Sequence, residues 1–212
     1  MRAIPLLALT MMGCPHAGGD GTIVTGDLGG EAFNPDTVVF DVYGAGPGDS
    51  AAPDDQQFML VFADAPDACP LLGPLFHYWW LRCESACEGL LENQDLWPDG
   101  ELRMLWVGIT VDQDLEDAYT LANDDGPGLF TTTYRPVDLG RLEGLDQTGC
   151  FDACTADYGF LLTEQSRANV GDLELSGYSE DLLEGELDVL LSEGEVKARF
   201  DAPQCDMGLH GP

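Results

Sequence analysis

Six cysteines, Cys69, Cys83, Cys87, Cys150, Cys154 and Cys205, constrain this chain more tightly than any other feature. Four of them form two CxxxC segments. Four residues apart on a helix is one face, so Cys83 and Cys87 project together toward a neighbouring element. A bridge within such a pair constrains little, whereas bridges to Cys150 and Cys154 pin the helix onto the loop expected before the Phe160 strand. Antiparallel segments then require Cys83 with Cys154 and Cys87 with Cys150, which leaves Cys69 for Cys205. Other pairings are open to six cysteines, and the antiparallel arrangement is the assumption behind this one. Closing loops of this length contributes a few kcal/mol each in the chain-entropy model. Zinc is the rival use of the sulfurs, but CxxxC twice over without a histidine is poor zinc spacing, and an oxidising destination disfavours reduced thiolates.

The seventh cysteine, Cys14, belongs to a different argument. Arg2 supplies a short positive start, Ala3 to Met12 is almost wholly apolar, and Gly13 precedes the cysteine. Residues 1–13 therefore read as a signal peptide rather than as part of the fold. The apolar run is about ten residues, well short of the roughly 20 that a spanning helix needs. Met11-Met12-Gly13-Cys14 resembles the lipobox of bacterial lipoproteins, in which a small residue precedes an invariant cysteine. That resemblance implies cleavage before Cys14 and acylation of its thiol and amine. Residues 14–21, rich in glycine and poor in apolar side chains, then form a lipidated cysteine and flexible tether, and residues 22–212 the domain. At about 0.8 kcal/mol per buried methylene, two or three acyl chains hold a domain at the bilayer where one does not.

Charge bears on partners. The chain has 8 Lys and Arg against 39 Asp and Glu, a balance of 8 − 39 = −31, with Lys197 the single lysine. Phosphate binding is driven by cations replacing counterions, so nucleic acid is excluded as a partner. Anionic headgroups repel the same surface, so membrane attachment has to be covalent, through Cys14. The acid excess itself reads as a solvated face suited to a salty habitat, ahead of specific cation binding.

Along the domain the pattern is mostly strands broken by glycine, proline and aspartate. Thr22 to Phe33, Thr37 to Tyr43 and Gln57 to Phe62 are strand candidates, with a loop from Gly44 to Asp49. Leu102 to Val111 is apolar on both parities, as a central buried strand is. Ala118 to Ala122, Phe130 to Tyr134 and Phe160 to Glu164 are shorter candidates. Leu183, Gly185, Leu187, Val189 and Leu191 alternate with Glu184, Glu186 and Asp188. After Ser192 to Glu195 the alternation resumes in Val196, Ala198 and Phe200, which makes an antiparallel hairpin with one wet face. Leu173, Leu175 and Tyr178 extend it to a meander. From Pro70 to Leu91 the apolar spacing changes to three and four, which predicts one helix, regular from Pro74. The expected fold is all-β, an antiparallel two-sheet sandwich with one disulfide-tied helix.

The search for chemistry is mostly negative. His16 lies in the tether, His210 near the end and His77 in the expected helix, where packing is the better reading. No serine sits in a GxSxG elbow, and HExxH, P-loop and dinucleotide signatures are missing, so no cofactor or catalytic residue is assigned. Paired carboxylates of a glycan hydrolase have no specificity as a signal among 39 acids. Asp112 to Asp117 begins like a calcium loop, but Asp117 stands where the turn glycine belongs and Asn123 where the bidentate glutamate belongs. Asn123 to Gly126 reads as a plain turn. Trp79, Trp80 and Trp106 are expected in the core and Trp97, before Pro98, at the surface.

An aspartate-rich turn with Cys69 after an early strand, followed by a closing meander from Phe200 to Cys205, is similar to small Gram-negative envelope lipoproteins. The resemblance implies an envelope address, at the outer membrane and facing periplasm or exterior. The expected function is a lipid-anchored, non-catalytic binding or structural module with an envelope protein or glycan as ligand. The alternatives are an envelope hydrolase using paired carboxylates and a calcium-stabilised adhesion domain.

Overall fold

The structure is a computed structural model and describes residues 21–44, 56–79, 82–111, 117–121, 132–156, 161–162 and 166–208. It is β-rich and antiparallel. In chain order come β1 (Ile23–Leu28), β2 (Glu31–Ala32), β3 (Thr37–Gly44), β4 (Gln56–Ala63), α1 (Cys69–Trp79), α2 (Cys83–Glu92), β5 (Glu101–Val111), β6 (Ala118–Leu121), β7 (Thr132–Asp138), α3 (Gln147–Ala156), β8 (Ser166–Tyr178), β9 (Leu182–Leu191) and β10 (Gly194–Pro203). The strands follow the order β2-β1-β10-β9-β8-β7-β5-β4-β3, with β6 on β8. Only two residue pairs, Thr133 with Arg167 and Tyr134 with Ser166, join β7 to β8, so the path divides into two antiparallel sheets at that seam.

Alternation decides which side chains go inside. In β9 the residues at Leu183, Leu187, Val189 and Leu191 are buried while Glu184, Glu186 and Asp188 are exposed, and β10 repeats this with Val196, Ala198 and Phe200. Strands β4 and β5 are buried on both faces. Phe58, Leu60, Phe62, Leu105, Val107 and Ile109 join the β8–β10 side chains in one apolar cluster, and Met59, Val61, Leu102 and Met104 join a second cluster with the helices. A sheet covered on both sides needs apolar residues at every position, which is why β5 lacks the alternation of β9.

Several expectations need correction. The stretch from Thr22 to Phe33 is two strands, because Gly29 and Gly30 turn the chain with φ of 63° and 78°, a region open chiefly to glycine. There are three α-helices among the described residues, not one. The apolar spacing from Pro70 to Leu91 runs through a break: the Arg82 N–H bonds the His77 carbonyl at 2.8 Å, a five-residue span that closes α1, and Arg82 has non-helical angles of −85° and 61°. Pro74 stands inside α1 rather than at its start. Helix α3 escaped the pattern search because its buried residues are Cys150 and Cys154 alone, while Phe151 is exposed. Of the stretch from Phe160 to Glu164 only Leu161 and Leu162 are described, and Leu162 makes an isolated bridge to Val137. Phe130, the loop from Ala45 to Asp49, Asp112 to Glu116 and Asn123 to Gly126 lie outside the described residues.

Candidate functional site

The solvent face of β1, β10, β9 and β8 carries a groove of about 550 Å³, lined by residues of all four strands. Register places them in two rows. Thr25 stands opposite Lys197, Lys197 opposite Asp188, and Asp188 opposite Asp172; one strand step away Ile23, Arg199, Glu186 and Glu174 repeat the order. Strand β6 adds Thr120, whose hydroxyl donates to Asp172 at 3.4 Å.

Electrostatics divides the groove. On β10, Lys197 contacts Glu195 at 2.6 Å and Asp188 at 3.0 Å, and Arg199 contacts Glu186 at 3.5 Å. Hydrogen bonds to Glu195 and then Asp188 raise the Lys197 ammonium above its ordinary range. On the far side Asp172 faces Asp188 and Glu174 faces Glu186. Like charges directly opposite across an antiparallel pair are unfavourable by a few tenths to about 1 kcal/mol. The acids of the middle strand are more than half exposed, 63% for Glu186 and 57% for Asp188, so water screens much of this. The site offers hydrogen-bond acceptors and fixed charge on a rigid sheet. Its lining carries four carboxylates, the Lys197 ammonium, the Arg199 guanidinium and the Thr25 hydroxyl.

The residues singled out by sequence are distributed elsewhere. Cys14, His16 and His210 lie outside the described residues. Cys69 is bonded to Cys205, Cys83 to Cys154 and Cys87 to Cys150, with Cα separations of 5.9, 5.7 and 5.7 Å. The last two bridges join α2 to α3 inside the helix-covered core, far in function from a reactive thiol. Half-buried His77 donates from Nε2 to the Gly208 carbonyl at 3.2 Å, because a carbonyl can only accept. Burial, and then the Arg82 charge, lower its pKa from 6.5 against that hydrogen bond.

Trp97, expected at the surface, is half-buried against the helix core, and its indole N–H is buried without an acceptor. Its ring has apolar neighbours to cover, and Leu96 beside it takes the exposed position. Trp106 is also half-buried, with Phe76 edge-on at 5.6 Å and the Arg135 guanidinium over its ring at 5.2 Å. The side chains of Trp79 and Trp80 lie outside the described residues.

Sequence reasoning missed Asp41, a wholly buried carboxylate on β3 that accepts from the Val42 N–H at 2.8 Å and the Met207 N–H at 2.9 Å. Its signal was there: in Thr37–Gly44 it shares parity with inward Val39. Among the described residues no group of three or more His, Cys, Asp or Glu gathers as a metal site. No protein-family model, curated protein or solved structure matches the chain.

Proposed function

We propose that this chain is a lipid-anchored cell-envelope protein, a non-catalytic binding module held to the outer membrane through acylated Cys14. The observation that carries the reading is sulfur arithmetic: three bridges use six of the seven cysteines and leave Cys14 over. Bridges buried in a core belong to an oxidising compartment, which supports export. The six-sulfur requirement and the lipobox resemblance then give Cys14 a use. In this reading the two sheets are the leaves of a sandwich, supported by the apolar cluster both of them supply.

The binding face is the groove on β1, β10, β9 and β8, whose ligand is an envelope protein or glycan. Ile23 and Thr25 line it and stand close after the tether. At about 3.5 Å per residue, residues 14–21 reach at most roughly 28 Å, so the groove works within that distance of the bilayer.

Intact mass of membrane-extracted protein, before and after reduction, tests the reading. The expected result is a chain beginning at Cys14, heavier than its polypeptide by acyl groups, that gains six hydrogens on reduction of its three bridges. Cys14→Ser is expected in the soluble fraction. Recovery from the cytosol with Met1 in place and every thiol alkylatable overturns the anchor, and hydrolytic turnover in a broad substrate screen overturns the non-catalytic part.

A further inference from the structure

After β10 the chain crosses from the sheets to the helix layer as a short strap, Gln204 to Gly208. Gln204 makes a single parallel bridge with Phe40, and the Cys205 N–H donates to the Phe40 carbonyl at 2.8 Å. Met207 donates to Asp41 Oδ2 at 2.9 Å, and the Gly208 carbonyl accepts from His77 at 3.2 Å. The Met207 carbonyl presses on Gly73 of α1 so closely that a Cβ there has no room. Two consecutive strap residues thus occupy Asp41 and His77, and the Cys69–Cys205 bond fixes the strap to the first residue of α1.

The three bridges differ in access. Cys83, Cys87, Cys150 and Cys154 are all buried, at 5%, 0%, 0% and 0% exposure, and Cys205 is at 3%, whereas Cys69 is only half-buried. Thiol–disulfide exchange needs a thiolate to reach a sulfur, so access selects which bridge reacts. Asp206 and Gly208 are exposed, leaving Met207 as the strap's buried side chain besides Cys205. A short strap with only two buried side chains, Cys205 and Met207, opens ahead of the core once its covalent tie is gone.

We propose that Cys69–Cys205 is a reducible latch: a dithiol reductant opens it while the two α2–α3 bridges stay closed, lifting the strap and uncovering Asp41 and His77. A reductant thiolate attacks Cys69 Sγ, the Cys69–Cys205 bond breaks, and Cys205 leaves as a thiolate that takes a proton from water. The reductant's second thiol loses its proton to water and attacks the mixed disulfide. Cys69 is released as a thiolate and protonated, so two electrons pass to the protein and the dithiol becomes a cyclic disulfide. The latch is independent of the anchor, because it is measured on the same chain whatever Cys14 carries.

Oxidised full-length protein is exposed to graded dithiothreitol, quenched with a maleimide and mapped by peptide mass, with amide exchange followed in parallel. Cys69 and Cys205 are expected to be labelled about tenfold or more ahead of the other four bridged cysteines. The Cys205 and Met207 amides should lose protection in step while β8–β10 keep theirs. Simultaneous labelling of all six, or first labelling at Cys83 and Cys154, overturns the proposal. So does early labelling of Cys69 and Cys205 with strap amides still protected. The double variant Cys69→Ser with Cys205→Ser should expose the same amides without reductant; if it does not fold, the wild-type labelling order still decides.

Discussion

The two apolar cores lie on opposite faces of the β3–β4–β5–β7 sheet and are held together differently. The cluster to which both sheets contribute contains Phe33, Phe40, Phe58, Phe62, Phe200 and Tyr119 and no cysteine; the core under the helices contains five of the six bridged cysteines with the sixth, Cys69, at its rim. On the first side, hydrogen-bonded strands of 13, 10 and 10 residues make a ladder that aligns the apolar face by itself. On the second, α2 and α3 have 10 residues each, below the roughly 12–15 at which an isolated helix becomes marginally stable. Short helices without a ladder need another constraint. Crosslinks between α2 and α3 supply it.

The sharpest way to break this comparison is to remove the α2–α3 bridges. They are nested, with separations of 63 and 71, so the first to close carries most of the loop entropy, about 4 kcal/mol in the chain-entropy model. Once it is closed, the second shuts a ring of only four residues on either side, worth about 2–3 kcal/mol. Cys83→Ala with Cys154→Ala should therefore lower stability modestly. Replacing all four cysteines should cost about 7 kcal/mol, a large fraction of what a domain has. Denaturant unfolding gives the two losses, and amide exchange should show the helices deprotected ahead of β8–β10. Equal losses for one bridge and for both refute the nested account.

Phe200→Ala attacks the other core. The ring is wholly buried and meets Phe62 edge-on at 5.8 Å, so truncation should cost about 3–5 kcal/mol. Because the bridges lie across the sheet, the cost should be the same with Cys83–Cys154 present or absent, within about 0.5 kcal/mol. A double-mutant cycle on denaturation midpoints reads this. A larger coupling means the two cores fold as one.

The same division explains what the sequence discloses. In β9 and β10 register, burial and the wet face follow from period two, because one face meets the core and the other water. The double-sided burial of β5 was readable too, from apolar residues at both parities. The helix layer obeys no such local rule. Nothing in residues 147–156 marks a helix except two cysteines four apart, and the apolar spacing through α1 and α2 continues across a break that the backbone imposes. The groove is harder still. Its like-charged pairs depend on how β8 registers with β9, and irregularities between Ala168 and Val170 and between Leu175 and Gly177 shift that register. The strap has no periodicity at all, and its partners Asp41 and His77 lie more than 100 residues away in sequence, 166 for Met207 and Asp41.

The smallest expected effect separates the cores by pH. His77 sits in α1, and burial holds its pKa below 6.5, so between the folded value and 6.5 the unfolded chain binds more protons than the folded one. Stability rises with pH wherever that holds. The contribution is therefore complete above pH 6.5 and is lost as pH falls through 6.5 to the lowered value. Below it both states are protonated and the loss is constant. Partial exposure keeps the change small, and it should appear as a shallow fall in the denaturation midpoint on acidification, accompanied by weaker amide protection in α1 and the strap. His77→Asn should remove that slope while leaving the protection of β9 and β10 unchanged at every pH. A slope that survives the substitution places the titration on another group.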